Sequence, residues 1–113
     1  MTIFKVRNFS SSVNEMANYD SEITGLKDIV IWIGMRPKNH GHRIKVSNVY
    51  NKMDSWDCFT ITIPSLMIKG DCKLTTKDLE SIKTFIKLNE QLIKDYSDLI
   101  VSTDFLLKNI IKV

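Results

Sequence analysis

The sequence predicts an α+β fold, an antiparallel three- to four-stranded sheet covered by one long C-terminal helix. Two segments in the first part of the chain, 42–46 and 57–64, alternate apolar and polar residues, which is typical of half-buried strands. The second part instead repeats apolar residues at the spacing of one helix face. The chain has 113 residues, of which 43% are apolar, and we expect a single domain over 1–113.

The segments before these strands are predicted to be less regular. A short strand is expected over 2–7, followed by a polar arm over about 8–25 that holds at most one helical turn, over 13–17. The run 28–35 is apolar on both faces and rich in β-branched residues, which predicts a central strand. A turn over 36–41 follows it.

The strand over 42–46 separates its side chains most clearly. Ile44 and Val46 are expected to face the core, and Arg43 and Lys45 to face solvent, since side chains alternate across a strand. This pattern predicts a half-solvated antiparallel strand.

The second alternating strand is expected after a polar loop over 49–56. It spans 57–64, and a further short strand is expected over 65–69. The apolar face of the longer strand carries Phe59, Ile61 and Ile63.

The long helix is expected to begin at Thr75 or Thr76, whose hydroxyl groups can cap the first N–H groups, with Asp78 in the first turn. A length of about 20 to 25 residues would span about 35 Å, enough to cover the whole sheet. Its apolar stripe comprises Leu79, Ile82, Ile86, Ile93 and Ile100.

Composition excludes several classes of protein. No apolar run approaches the roughly 18 residues of a membrane span, and the first residues lack the apolar block of a signal peptide. We therefore expect a cytoplasmic protein without membrane contact, in which Cys58 and Cys72 are free thiols. The net charge of +3 is too small by itself to indicate nucleic-acid binding. Abundant Ile, Lys and Asn, with a single Ala, indicate a low-GC bacterium, phage or mobile element.

The order of strands, Gly and helix resembles a bacterial family known as domain of unknown function 4160, over about residues 28–100. Aligned on Val46, the two histidines of that family fall on Arg43 and Lys45, so basic character is retained without imidazole. The resemblance implies a partnered role, such as one member of a toxin–antitoxin-like pair. The matching stretches are 29–33, 39–46, 59–63 and 70–95.

Residues for catalysis or metal binding are few. His40 and His42 would point to the same side of a strand and supply half of a metal site, but no spacing provides further ligands. We expect no metal and no other cofactor. No spacing in the sequence indicates a catalytic thiol–imidazole pair, whether of Cys58 with His42 or of Cys72 with His40. Because phosphate-binding loops, nucleophile elbows and H-E-x-x-H patterns are absent, we assign no catalytic residue.

The densest basic stretch is the candidate binding site. Trp32, Tyr50 and Trp56 lie near it in sequence, so it could contact a phosphate backbone while an aromatic side chain stacks on a base. An acidic protein is an alternative partner, and a solvated strand face beside core aromatics is the purely structural interpretation. The members of the stretch are Arg36, Lys38, His40, His42, Arg43 and Lys45.

These observations favour a small non-enzymatic accessory or interaction protein that binds a macromolecule in a bacterial or phage-infected cell. A protein partner or a second copy of the chain is the first expectation, and nucleic acid is the second. The apolar tail over about 103–113 supports the first, since it must pack as a strand, as a second helix or against a partner. The alternatives are a structural protein of a phage virion and a small nuclease- or toxin-like enzyme of a toxin–antitoxin pair.

Overall fold

The computed structural model describes residues 16–19, 21–34 and 41–113. The strand predicted over 2–7 lies outside these residues, as does the turn predicted over 36–41 except for its last residue. The elements in chain order are β1 (Met16–Tyr19), α1 (Ser21–Thr24), β2 (Ile31–Gly34), β3 (His42–Ser47), β4 (Cys58–Ile63), β5 (Ile68–Lys69), α2 (Thr76–Ser97) and α3 (Thr103–Asn109).

The described strands form one antiparallel meander in the order β1–β2–β3–β4–β5. The predicted α+β class is confirmed, with the sheet followed by a helix of 22 residues. Strands β1 to β4 make up a four-stranded sheet, which the two-residue β5 extends by one short strand. β2 is flanked by β1 and β3, which confirms its prediction as a central strand.

The first edge of the sheet differs from the prediction, because β1 and α1 lie inside the segment expected as a polar arm over 8–25. The expectation of an arm with a helical turn over 13–17 is wrong for residues 16 and 17, which belong to β1. The segment shows no apolar alternation, yet its backbone pairs along the length of β2. Pairing with a neighbouring strand therefore outweighs local propensity here.

Strands β2, β3 and β4 each turn alternate side chains to two faces, which we call the inner and the outer face. In β3, Ile44 and Val46 are buried, whereas Arg43 and Lys45 are half-buried, as the alternation predicts. The inner face shares one apolar core with α2 and α3. Its buried residues are Ile31, Ile33, Ile44, Val46, Phe59, Ile61 and Ile63.

Helix α2 begins where the sequence predicts. The hydroxyl of Thr75 accepts the backbone N–H of Asp78 at 3.1 Å. The apolar stripe packs on the inner face from Leu79 to Ile93. Its predicted last member, Ile100, is wrong, because α2 ends at Ser97 and Ile100 is exposed. Each large apolar side chain that becomes fully buried contributes about 1.5–3 kcal/mol to this packing. No helix in the described part of the chain is both long and apolar enough to cross a membrane. The fully buried apolar residues of α2 are Ile82, Phe85, Ile86, Ile93 and Tyr96.

Asn89 interrupts α2 near its middle, where a φ of −119° and a ψ of 16° leave the helical range. Its side chain is buried and turned toward the end of the chain. Nδ2 donates to the carbonyl of Ile111 at 2.9 Å, and Oδ1 accepts the N–H of Ile111 at 2.8 Å. Nδ2 also donates to the carbonyl of Phe85 at 2.9 Å. The amide therefore pairs with Ile111 as a neighbouring strand would, and a buried amide without such partners costs about 1–3 kcal/mol.

The apolar tail packs within the chain as helix α3, one of the three forms expected. Leu106 is completely buried and joins the core, and the N–H of Val113 donates to the carbonyl of Thr24 at 3.0 Å. Phe105 and Ile111 stay about half exposed. Binding of a protein partner or a second copy through this tail therefore stays a prediction.

Gly25 lies directly beneath Val113. Its φ is +79°, and a Cβ added to it would lie 2.7 Å from the carbonyl oxygen and 2.9 Å from the nitrogen of Val113. Gly41 has a similar φ of +71°, but a Cβ there would have no neighbour within 4 Å. A side chain at either glycine would therefore strain the backbone, but only a side chain at Gly25 would also clash with neighbouring atoms.

We predict that Gly25→Ala lowers the free energy of unfolding by about 2–4 kcal/mol and Gly41→Ala by about 1 kcal/mol. Both changes place a side chain in left-handed backbone, but only the change at Gly25 forces Val113 away from Thr24. Urea denaturation followed by circular dichroism measures both values. Equal losses would contradict the packing of Val113 against Gly25.

Candidate binding face

The outer face of the sheet consists of the strand positions that α2 leaves uncovered. Trp32 of β2 pairs with Lys45 of β3. Lys45 pairs in turn with Thr60 of β4, which pairs with Lys69 of β5. Directly paired residues share a face, so these side chains form a row across the sheet with about 4.8 Å between strands. Arg43 stands beside the row, about 6.7 Å from Lys45 along β3.

The charged residues on the outer face of β2 to β5 are all positive among the described residues. Arg43, Lys45 and Lys69 all occupy it, and no outer-face position of β2 to β5 in the described residues holds Asp or Glu. None of these three cations has a carboxylate partner among the described residues. The ion pairs of the described residues engage His42, Lys73, Lys83 and Lys94 instead.

His42 does not belong to the outer face, although the sequence groups it with Arg43 and Lys45. It shares the strand parity of the buried Ile44, and its Nε2 lies 2.9 Å from Oδ1 of Asp98, the C-cap of α2. The imidazole thus joins the start of β3 to the end of α2. Arg43 and Lys45, by contrast, lie together on the outer face. The remaining predicted residues, Arg36, Lys38 and His40, lie outside the described part of the chain.

Among the described residues, those considered for thiol chemistry or metal binding are not assembled into a site. Cys58 begins β4, whereas His42 pairs with Ile63 at its other end, so the length of the strand, about 17 Å, separates thiol and imidazole. Cys58 and Cys72 are both free. Within residues 16–19, 21–34 and 41–113, no three His, Cys, Asp or Glu side chains are grouped to hold a metal ion.

The loop between β3 and β4 is organised around the buried hydroxyl of Ser47. Its Oγ donates to the carbonyl of Lys52 at 2.6 Å. The same oxygen accepts the backbone N–H groups of Val49 at 3.1 Å and of Asp54 at 3.3 Å. One side chain therefore fixes three positions of the loop, which predicts a rigid loop.

A second set of contacts joins this loop to the segment that precedes α2. Nδ2 of Asn48 donates to Oδ1 of Asp57 at 3.0 Å, and Nζ of Lys73 lies 3.0 Å from the same oxygen. The hydrogen bond from Lys73, followed by that from Asn48, lowers the pKa of the Asp57 carboxyl. Tyr50 adds a further contact, because its hydroxyl donates to Asp78 at 2.5 Å, and this hydrogen bond raises the pKa of Tyr50.

Trp56 lies on this loop with 97% of its surface exposed. Its backbone N–H donates to Oδ1 of Asp54 at 2.9 Å, which closes a tight turn. The thiol of Cys58, on the outer face, donates to the carbonyl of Ser55 at 3.7 Å. Trp56 therefore projects from the loop at one end of the outer face.

Sequence reasoning predicted the outward orientation of Arg43 and Lys45 but did not include Lys69 in the site. Lys69 joins the face only through the register of β5 with β4. Alternation within a single strand does not reveal which residues of the next strand lie beside it. The contact of His42 with Asp98 is likewise a tertiary feature, between residues far apart in sequence.

Comparison of the chain with family models, curated proteins and solved structures finds no match. The resemblance to domain of unknown function 4160 therefore stays a prediction.

We predict that Lys73→Met raises the pKa of Asp57 toward the ordinary aspartate value of about 3.9, because it removes the main cause of the lowered pKa. Since the pKa is lower in the folded chain than in the unfolded chain, the stability that this contact contributes is present above the unfolded value. It is lost as the pH falls through the folded value.

The carboxyl carbon shift of Asp57, followed by NMR through an acid titration, measures this pKa. Lys52→Met is the matched control, because Lys52 is an exposed lysine of the same loop whose side chain does not pair with Asp57. An unchanged Asp57 titration in Lys73→Met would show that the contact with Lys73 is not formed in solution.

Proposed function

We propose that this chain is a non-enzymatic binding module that contacts an anionic macromolecular partner through the outer face around Arg43 and Lys45. The observation that supports the proposal is the segregation of charge across β3. Two cations lie side by side on the face opposite a strand surface that is committed to the core. Lys69 extends the same charge across two further strands.

Electrostatics favour an anionic partner for this surface. Arg43, Lys45 and Lys69 occupy backbone positions about 7–12 Å apart. Like charges this close raise the local potential, and none of the three has a carboxylate partner among the described residues. Arg43 and Lys45 are half-buried, as is typical of long side chains whose stems cover the sheet while their charged ends stay in water. An anionic ligand would relieve the repulsion and gain charge-assisted hydrogen bonds.

Helices α2 and α3 leave the outer face uncovered, which also supports the proposal. The helices α2 and α3 share the core of the inner face, and the tail is tied down by Asn89 and Thr24. A partner can therefore reach the β3 and β4 strands without displacing a described helix.

The proposal predicts that Arg43→Ala/Lys45→Ala elutes from a heparin column at lower salt than the unchanged chain, because two of its outer-face cations are lost. Since neither side chain belongs to the apolar core, the variant should stay folded, which circular dichroism verifies. The difference in affinity should shrink as salt rises.

The matched control is Lys77→Ala/Lys87→Ala, which removes the same charge from exposed positions of α2. This control is expected to elute close to the unchanged chain. Elution of both double variants at the same salt would mean that net charge, and not the outer face, governs binding, and would contradict the proposal.

A further inference from the structure

Trp56 is an exposed aromatic side chain on a loop that is held in place. Its indole is 97% exposed, although aromatic side chains contribute most when they are buried or at an interface. Ser47 fixes the loop from within, and Asp57, the next residue, is bound by Asn48 and Lys73. The backbone thus presents the indole to solvent with both ring faces accessible.

The position of Trp56 relates it to the cations of the outer face. It precedes Cys58 by two residues, and Cys58 precedes Thr60, the neighbour of Lys45, by two more on the same face. Two residues along an extended backbone span about 6.7 Å. The Cα atom of Trp56 therefore lies within about 13 Å of the Cα atom of Thr60 in the Lys45–Thr60 pair. A single ligand of oligonucleotide length, roughly 4–16 nucleotides in comparable sites, spans both.

Trp56 and the cations of the outer face offer a ligand different contacts. Asp54 accepts the backbone N–H of Trp56, which places a carboxylate near the backbone of this residue, and a carboxylate repels phosphate. The cations lie further along the sheet, at Arg43, Lys45 and Lys69. This arrangement favours a ligand with an uncharged flat group at Trp56 and negative charges along the sheet.

We infer that the partner of the outer face is a single-stranded nucleic acid, with Trp56 stacked on a base and Arg43, Lys45 and Lys69 contacting the phosphates. This inference rests on the proposed function and names its ligand. A base can stack on an indole only when it is unpaired and free of its neighbours, which excludes a duplex. A protein partner would require an apolar centre, whereas Thr60 and Thr62 occupy the middle of the outer face.

The test measures the binding of fluorescein-labelled dT12 to the full chain by anisotropy, with a dT12·dA12 duplex and poly-glutamate as competing probes. Trp56→Ala is expected to weaken binding of dT12 roughly 5- to 150-fold, the range of one base–aromatic contact. Trp56→Phe should restore most of the affinity, since it keeps a ring. Leu88→Ala, which changes an exposed apolar residue of α2 and not of the outer face, should bind as the unchanged chain does.

Fluorescence of the chain provides a second measurement. Stacking on a base should quench the emission of the unchanged chain on addition of dT12, and most of this quenching should be absent in Trp56→Phe. Because Trp56 is fully exposed, neither substitution is expected to affect folding.

The outcomes separate the inference from the proposed function. Equal affinities of Trp56→Ala and the unchanged chain for dT12, with loss of binding in Arg43→Ala/Lys45→Ala, would overturn the inference and leave the proposed function in place. Tighter binding of the duplex or of poly-glutamate than of dT12 would also overturn the inference. Failure of the unchanged chain to bind heparin or any of these probes would overturn both.

Discussion

Burial of one face of the sheet beneath α2 is the constraint on which the rest of the described structure depends, because it determines which strand residues lie on the opposite face. Side chains alternate across a strand, so once Ile44 and Val46 enter the core, Arg43 and Lys45 must lie on the opposite face. The same rule acts on β2 and β4, and the register between strands aligns the outward positions into one row. A slip of one residue would exchange the two faces, and it would bury two cations without partners, which is strongly unfavourable.

The end of the chain completes this core. Leu106 of α3 is buried with the inner face, and Asn89 leaves helical geometry while its amide pairs with Ile111. Gly25 permits the close approach of Val113 that ends the same segment. Together these contacts hold the apolar tail on the side of the sheet away from Arg43 and Lys45, so that the two surfaces can serve different purposes.

The parts of the fold that follow from local periodicity could be predicted from the sequence. Strands β3 and β4 and helix α2 each carry a pattern that only one element type satisfies, and the structure confirms their positions and faces. Ile100 is the exception, because its spacing continues the stripe of α2 but the helix ends at Ser97 and leaves it exposed. β1 could not be found in this way, because its pairing with β2 and not its own residues makes it a strand. In the candidate site, Arg43 and Lys45 follow from alternation, whereas Lys69 requires the register of a neighbouring strand. His42 could also have been excluded from the basic face on the sequence alone, because it lies two residues before Ile44 in β3 and so faces the same side as that core residue.

The separation of the two faces is tested most directly by nuclear Overhauser contacts within the unbound chain. The account predicts contacts from the methyl groups of Ile44 and Val46 to side chains of α2, and contacts from the methylene groups of Lys45 to the ring of Trp32 and to Thr60. Contacts from Lys45 or Arg43 to side chains of α2 would place the cations on the inner face. That result would contradict both the register of β3 and the binding surface derived from it.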